Sequence, residues 1–421
     1  VRFPRARGWG SPELIFVSLP QRADIDPTFN HPTEMETNNL LTRRAALGSL
    51  AAAGAWALAQ NNQVAQAASA PGGAPAARRS GPLRVGVISA AIRGNPQPRN
   101  GHTWHFAQAL HPECDLDALK RLYPYGHKLF STVLRNPRCN FDQLPFPDIR
   151  ITHYYDADPK VAAAFVEVFP GVVVAGSLER MVEEVDAIWM GDASGVGDDH
   201  FKLVAPGLLK GLPTFCDKPV GGTVGETRKI LEFARQHGAP LMSGSLFRFE
   251  WGMEAALRMR DSGEHGPLEH VSARLFSRYS RDAWMIYGQH PVWTILTLMG
   301  AGVEAVSMLD YKDTCHGMIT YPDRYPCHFW FGQPYERFEY NRTDVYFKKK
   351  LLSFTPSIEG DYHFGYHYEM FRMAATFRKM ALTREEPVPH QEILEVTAVV
   401  HAATRSLGEG SRLVRLAEVM E

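Results

Sequence analysis

Apolar positions in the first part of the chain fall into short unbroken runs, separated by stretches where they recur every third or fourth residue. LRVGVISA (Leu83–Ala90) is apolar and β-branched nearly throughout, the pattern of a strand covered on both faces. RITHYYD (Arg150–Asp156) predicts a second strand ending in an acid, and DAIWMGD (Asp186–Asp192), PTFCDKP (Pro213–Pro219) and APLMSGS (Ala239–Ser245) predict three more. Between them Val161, Ala164, Phe165 and Val168 share one helical face, predicting a helix over Pro159–Phe169. Ser177 caps a short helix in SLERMVEEV, Gly211 closes one over Phe201–Lys210, and Gly238 stops one over Val224–Gln236.

Strands alternating with helices of this length imply a parallel sheet with helices on both faces, a Rossmann-like α/β domain over residues 83–244. After Ser245 the rhythm changes. Leu268–Tyr279, Val303–Leu309, Cys327–Phe331, Val345–Phe347 and Leu351–Phe354 are strand-like and mostly follow one another without helices. They predict an α+β domain over 245–421 with a largely antiparallel sheet, and helices at Pro291–Met299, Tyr366–Ala381 and Gln391–Leu407. An open sheet of this kind needs cover on its second face, which makes a homo-oligomer an expectation.

Composition adds little to this and excludes little. The 421 residues are 45% hydrophobic and 22% charged, ordinary for a globular chain with a sizeable core. A net charge of −1 gives no support for a nucleic-acid or anionic-membrane partner. Five cysteines without a CxxC pair suggest neither a disulfide framework nor a zinc ribbon.

The segment before the first strand has a different character. Arg43-Arg44 precede an uncharged, alanine-built run from Ala45 to Ala59, and Ala68-Ser69-Ala70 follows as an A-x-A cleavage signal. The run is too short to span a bilayer comfortably. Together these resemble a twin-arginine export signal over residues 35–70, which implies a periplasmic protein; an alanine-rich linker helix is the alternative. Met35 is then a candidate start, and residues 71–82 are a Pro/Gly/Ala-rich tether.

A dinucleotide site places its pyrophosphate on a helix N-terminus reached through G-x-G-x-x-G after the first strand. Here the corresponding stretch is Ser89-Ala90-Ala91-Ile92-Arg93-Gly94, in which Gly94 alone is glycine. Ser89 and Ala91 are small enough for the turn, but the Ala91 β-carbon stands where backbone should approach phosphate. NPQPRNGHTWHF then delays the next helix to near His102–Trp104. Arg93 and Arg99 either meet phosphate or face solvent. Asp156, closing the second strand, suits the adenosine ribose hydroxyls, or else caps the following helix.

GLPTFCDKPVGGT, between a helix and a helix–strand pair, carries the most specific signal. Asp217-Lys218-Pro219 resembles the Glu-Lys-Pro motif of the glucose–fructose oxidoreductase/inositol dehydrogenase (Gfo/Idh/MocA) family, with Asp for Glu. VDAIWMGD, His200, Arg248 in SLFRFE, YGQHPVWTILTLMG and HAATRSLGEGSRLV extend the resemblance from about Leu83 to the C-terminus. The resemblance implies an oxidoreductase that uses NAD or NADP to oxidise or reduce a sugar- or cyclitol-like hydroxyl. It also implies that Asp192, His200, Asp217, Lys218 and Pro219 border the cofactor, that Arg248 meets substrate, and that the Lys218–Pro219 bond is often cis; Tyr287 stands near enough in sequence to His290 to share its role towards substrate. Hydride leaves an alcohol carbon only as the hydroxyl proton departs, so a buried Lys218 at a strand's carboxyl end suits proton transfer. His290 is the matching second proton-transfer group. The family's acids four residues before and three after it are replaced by Ile286 and Trp293, so a structural histidine is the competing reading.

Other clusters are weaker. DYHFGYHYE sets His363 and His367 four apart between Asp361 and Glu369, yet Gly365 argues against a helix there and no third ligand follows from spacing; no metal is expected. His102 and His105 straddle Trp104 and either reach the site or satisfy loop carbonyls. Neither G-x-S-x-G nor HExxH occurs. Trp251, Trp284, Trp293 and Trp330 either stack on a sugar ring or fill the core. The leading expectation is an exported NAD(P)-dependent oxidoreductase. The alternatives are an NAD-assisted non-redox lyase, epimerase or glycosidase, and a non-catalytic sugar-binding protein of the same fold.

Overall fold

The computed structural model describes residues 81–90, 101–133, 146–192, 195–277, 280–332, 341–355 and 362–420. The first sheet contains β1 (Leu83–Ile88), β2 (Ile149–Tyr155), β3 (Val173–Val174), β4 (Ala187–Met190), β5 (Thr214–Cys216) and β6 (Leu241–Met242). All six pair in parallel, in the order β3-β2-β1-β4-β5-β6. Because β1 lies between β2 and β4, the winding reverses there, and the crevice outside their carboxyl ends is the topological switch point. Val85, Val87, Ile188, Trp189 and Phe215 are fully covered, which accounts for their unbroken apolar runs.

Among the described residues seven helices accompany this sheet: α1 (Gly101–Leu110), α2 (Leu116–Leu122), α3 (Pro124–Val133), α4 (Pro159–Val168), α5 (Leu178–Glu184), α6 (His200–Leu209) and α7 (Val224–Gln236). Asp158, Ser177 and Thr223 cap α4, α5 and α7 by accepting the amides of Lys160, Arg180 and Glu226. The predicted strand Pro213–Pro219 is shorter than its sequence suggests. β5 stops at Cys216, so Asp217, Lys218 and Pro219 leave the sheet at its carboxyl edge. The Lys218–Pro219 peptide is cis.

A single 3-10 turn (Leu246–Phe249) leads to α8 (Trp251–Ser262) and the second sheet. Its strands are β7 (Leu268–Phe276), β8 (Ala305–Tyr311), β9 (Thr314–Thr320), β10 (Cys327–Gly332), β11 (Arg342–Phe347), β12 (Lys350–Phe354) and β13 (Val414–Arg415). They run in the order β12-β11-β7-β10-β9-β8-β13, antiparallel except for β7 beside β10. Helices α9 (Arg281–Tyr287), α10 (Gln289–Met299), α11 (Tyr362–Thr383), α12 (His390–Gly408) and α13 (Ala417–Met420) complete the chain. α10 packs on β7 and α12 on β8, so Val271, Ala273, Val306, Met308, Phe329 and Val345 are buried. The opposite face leaves Leu309, Tyr311, Tyr346 and Leu351 exposed.

One expectation is corrected here. Gly365 does not prevent a helix, because α11 begins at Tyr362 and runs through it. A helical glycine costs only about 1 kcal/mol, and the buried series Met370, Met373, Ala374 and Phe377 holds α11 in place. The side chains of residues 361–367, including His363 and His367, lie outside the described ones, as do Ala91, Gly94 and residues 35–80.

Candidate active site

Lys218 sits where β5 ends, at the rim of the parallel sheet, and is 2% exposed. Its Nζ lies 5.2 Å from the centre of the Tyr287 ring, a cation–π distance, and Tyr287 faces solvent on its other side. Burial pulls the Lys218 ammonium below its ordinary range, while the neighbouring Asp217 and Asp192 carboxylates partly restore it. The amine is therefore held closer to neutrality than a surface lysine, which is what a proton acceptor requires.

Asp217 is completely buried and fully used. Its Oδ1 accepts the Lys218 amide at 2.7 Å, and its Oδ2 lies 2.7 Å from Nδ1 of His102. A carboxylate only accepts, so His102 carries its proton on Nδ1 towards Asp217. His102 reaches it because the first turn of α1 docks on the carboxyl end of β4. Trp189 Nε1 donates to the His102 carbonyl at 2.9 Å, and a β-carbon on Gly191 would lie 2.4 Å from that carbonyl oxygen. Gly191 is thus required to be small by close backbone approach.

His290, half-buried at the start of α10, comes from 72 positions further along and faces the same crevice. Its Nδ1 is 2.6 Å from Ser245 Oγ, and its ring packs against Phe247 (5.1 Å) and Tyr287 (6.2 Å). Burial first, then the positive charges of Lys218 and His102, hold its imidazolium well below the usual histidine range. Two positions where the sequence resemblance looks for acids are apolar in fact as well as in sequence: Trp293 is buried, and Ile286 is aliphatic.

Arg248 reaches this region but turns its Nη1 to Thr297 Oγ1 (2.9 Å) and to Glu392, with its guanidinium 5.7 Å from the Trp293 ring. His200 is buried and donates Nε2–H to the Asp192 carbonyl at 2.9 Å. Its Nδ1 lies 4.0 Å from the Cys216 sulfur. Asp192, Asp199 and His200 bring potential ligand atoms within 4.8 Å of one another, the one such trio among the described residues.

At the other end of the crevice Asp156 closes β2 and is buried. Its Oδ1 accepts the Asp158 amide at 2.8 Å, while Oδ2 is buried without a hydrogen-bond partner. Asp158 performs the helix capping. A buried carboxylate oxygen without a donor, at the strand end where a ribose diol binds, fits a dinucleotide. Ser89, also buried, follows β1 and bonds the Tyr155 carbonyl through its amide at 2.9 Å.

The structure therefore gathers Lys218, Asp217, His290, Tyr287, Asp192 and His200 around one crevice, with Asp156 and Ser89 along it. The sequence offers His102 without placing it, and no pattern in it singles out Ser245. Their pairings with Asp217 and His290 span 115 and 45 residues, and no local pattern announces them.

Residues 132–245 match the model of the oxidoreductase family with an NAD-binding Rossmann fold, GFO_IDH_MocA. Solved structures share the architecture. A scyllo-inositol dehydrogenase from Lactobacillus casei with bound NAD(H) and scyllo-inositol is 12% identical, with a TM-score of 0.60 over 80% of this chain and 99% of that one. A myo-inositol dehydrogenase from Corynebacterium glutamicum ATCC 13032 is 15% identical, with a TM-score of 0.60 over 80% and 99%. A myo-inositol dehydrogenase from Lactobacillus casei in complex with NAD(H) and myo-inositol is 13% identical, with a TM-score of 0.59 over 79% and 96%. No curated protein matches the chain. At these identities the solved structures establish the fold, and the family match over residues 132–245 supports an NAD-binding oxidoreductase.

Proposed function

We propose that the protein is a nicotinamide-dependent dehydrogenase acting on a secondary hydroxyl of a cyclitol- or sugar-like polyol. The observation that carries this is Lys218. A buried amine with a lowered pKa stands at the carboxyl edge of a doubly wound sheet, beside a histidine and beneath an exposed aromatic ring. Bound in the crevice, the dinucleotide supplies a two-electron acceptor for the substrate's C–H hydrogen. Lys218 and His290 meet the reacting hydroxyl, Asp217 anchors the Lys218 amide and His102, and Tyr287 shields the amine from bulk water. Asp156 takes the ribose diol. Its negative charge would repel a 2′-phosphate, which favours NAD over NADP. Ser89 and the first turn of α1 border the pyrophosphate.

The wider reading is of an exported, periplasmic enzyme with a Rossmann domain over 83–244 and a second domain over 245–421, assembling with further copies through the exposed sheet face. Export of an already folded protein suits a dinucleotide that travels in place.

Two measurements test the proposal. Denaturing the purified protein should release a nicotinamide dinucleotide, or added NAD should bind. Lys218→Met should cut polyol oxidation by about two to four orders of magnitude while leaving dinucleotide binding in place. Unaltered oxidation in that variant refutes the assignment. The apolar residues at 286 and 293 favour one second reading, a net non-redox reaction with retained dinucleotide; turnover without added NAD distinguishes it.

A further inference from the structure

Ser245 Oγ touches two groups. It accepts the Phe247 amide at 3.1 Å, and it lies 2.6 Å from Nδ1 of His290. Ser245 is wholly buried, so its hydroxyl proton must find an acceptor inside the protein. Were Nδ1 protonated, Oγ would accept twice and that proton would be stranded, at a cost of about 1–3 kcal/mol. With Nδ1 bare, every group is satisfied: the amide donates to Oγ, and Oγ donates to the ring. A neutral imidazole then keeps its proton on Nε2.

A carboxylate partner has the opposite effect, as Asp217 shows on His102. An acid can only accept, so it draws the proton to Nδ1 and leaves Nε2 as a base. Among the described residues no acid takes that role at His290: Ile286 and Trp293 stand at the flanking positions, and a hydroxyl donor faces Nδ1 instead.

Resting on the dehydrogenase reading above, we infer that Ser245 is a positioning residue which fixes His290 as the Nε2–H tautomer, so that His290 donates to the substrate oxygen and Lys218 alone accepts the hydroxyl proton. A bound nicotinamide would take up the C–H hydrogen with its electron pair, and the O–H proton would pass to the Lys218 Nζ lone pair. His290 neither gains nor loses a proton; its N–H stays on the oxygen as the carbonyl forms. The low basicity of the ring, set first by burial, agrees with a neutral donor.

The tautomer can be read without turnover. In full-length protein carrying nitrogen-labelled histidine, long-range proton–nitrogen correlation separates a bare ring nitrogen from a protonated one. His290→Gln identifies the relevant signals among the 17 histidines. The expected result is a bare Nδ1 and a protonated Nε2 on His290. Ser245→Thr should preserve that pattern; Ser245→Ala should move the signals towards a tautomer average and lower kcat about tenfold to a hundredfold, with KM little changed. A protonated Nδ1 in the unaltered protein overturns the inference, whatever the enzyme oxidises. The expected tautomer in a protein that oxidises no alcohol upholds the positioning role of Ser245 and sinks the dehydrogenase reading, with its proton route, instead.

Discussion

Lys218 and Asp217 are neighbours in sequence and opponents in electrostatics. Burial drives the amine towards neutrality, and the carboxylate pulls it back. If the neutral amine is the acceptor, oxidation rises with pH through the Lys218 pKa, and that limb lies below the ordinary lysine value of 10.5. Asp217→Asn removes the opposing charge, so a pH–rate profile should show the limb moved to lower pH; a shift upwards contradicts the electrostatics. A second residue-level conflict lies outside the crevice. Glu250 and Glu369 are buried, and none of their four carboxylate oxygens has a hydrogen-bond partner. Burial lifts both pKa values, and the Glu250 charge lifts Glu369 further. The folded protein thus keeps a proton that the unfolded chain releases above about pH 4.3. Stability is complete below that pH and erodes as pH rises. Glu369→Gln should therefore raise stability at pH 8 by about 1–3 kcal/mol and change it little at pH 4, as thermal unfolding at the two pH values will show. The Asp-Lys-Pro motif was legible because its meaning is local. Ser245, His102 and the buried glutamates were not, since each acquires its role from a partner that only folding brings near.

At the scale of elements, the parallel sheet was readable because both of its faces are covered and its strands are apolar without interruption. The capped helices α4, α5 and α7 were readable for the same local reasons. β9 was missed. TCHGMIT mixes a histidine and a glycine into the apolar run, and the reason appears only in the sheet, where Gly317 lies beneath the ring of Phe329 on β10. A β-carbon at Gly317 would come within 1.8 Å of the Phe329 ring. Gly317→Ala should cost about 1–3 kcal/mol or more, and denaturant midpoints will measure it. Pairing Gly317→Ala with Phe329→Leu should recover part of that loss, because the collision is with the ring and not with backbone. α8 and α9 were missed as well. α9 is short, and α8 buries only Gly252, Met253 and Ala256, so their apolar positions are too few to set a period.

For the molecule as a whole, α11 and α12 matter because they return to the first sheet after the second has been built. Phe377 on α11 meets the Trp189 ring edge-on at 5.1 Å, and Thr227 on α7 donates to Thr397 on α12 at 3.3 Å. Arg378 grips Asp148, just before β2, with two guanidinium nitrogens. That pair holds the Asp148 carboxyl below its ordinary range. Its contribution is present above about pH 3.9 and fades as pH falls through the lowered pKa. Both side chains are roughly a third exposed, so solvent screening limits the value to about 0.5–1 kcal/mol. Arg378→Ala should lower the unfolding temperature at pH 7 and make little difference at pH 2. The two-sheet plan could be foreseen from rhythm alone; this lacing of its ends could not, because it links residues 170 to 230 positions apart.

The roof that Tyr287 forms over Lys218 has a practical consequence. A primary amine that sheds its charge early is also a strong nucleophile, so acylating reagents small enough to slip past the phenol should modify Lys218 ahead of the surface lysines. Bulky ones should spare it until Tyr287→Gly lifts the cover. Labelling rates across reagents of graded size would then gauge the doorway that leads to this amine.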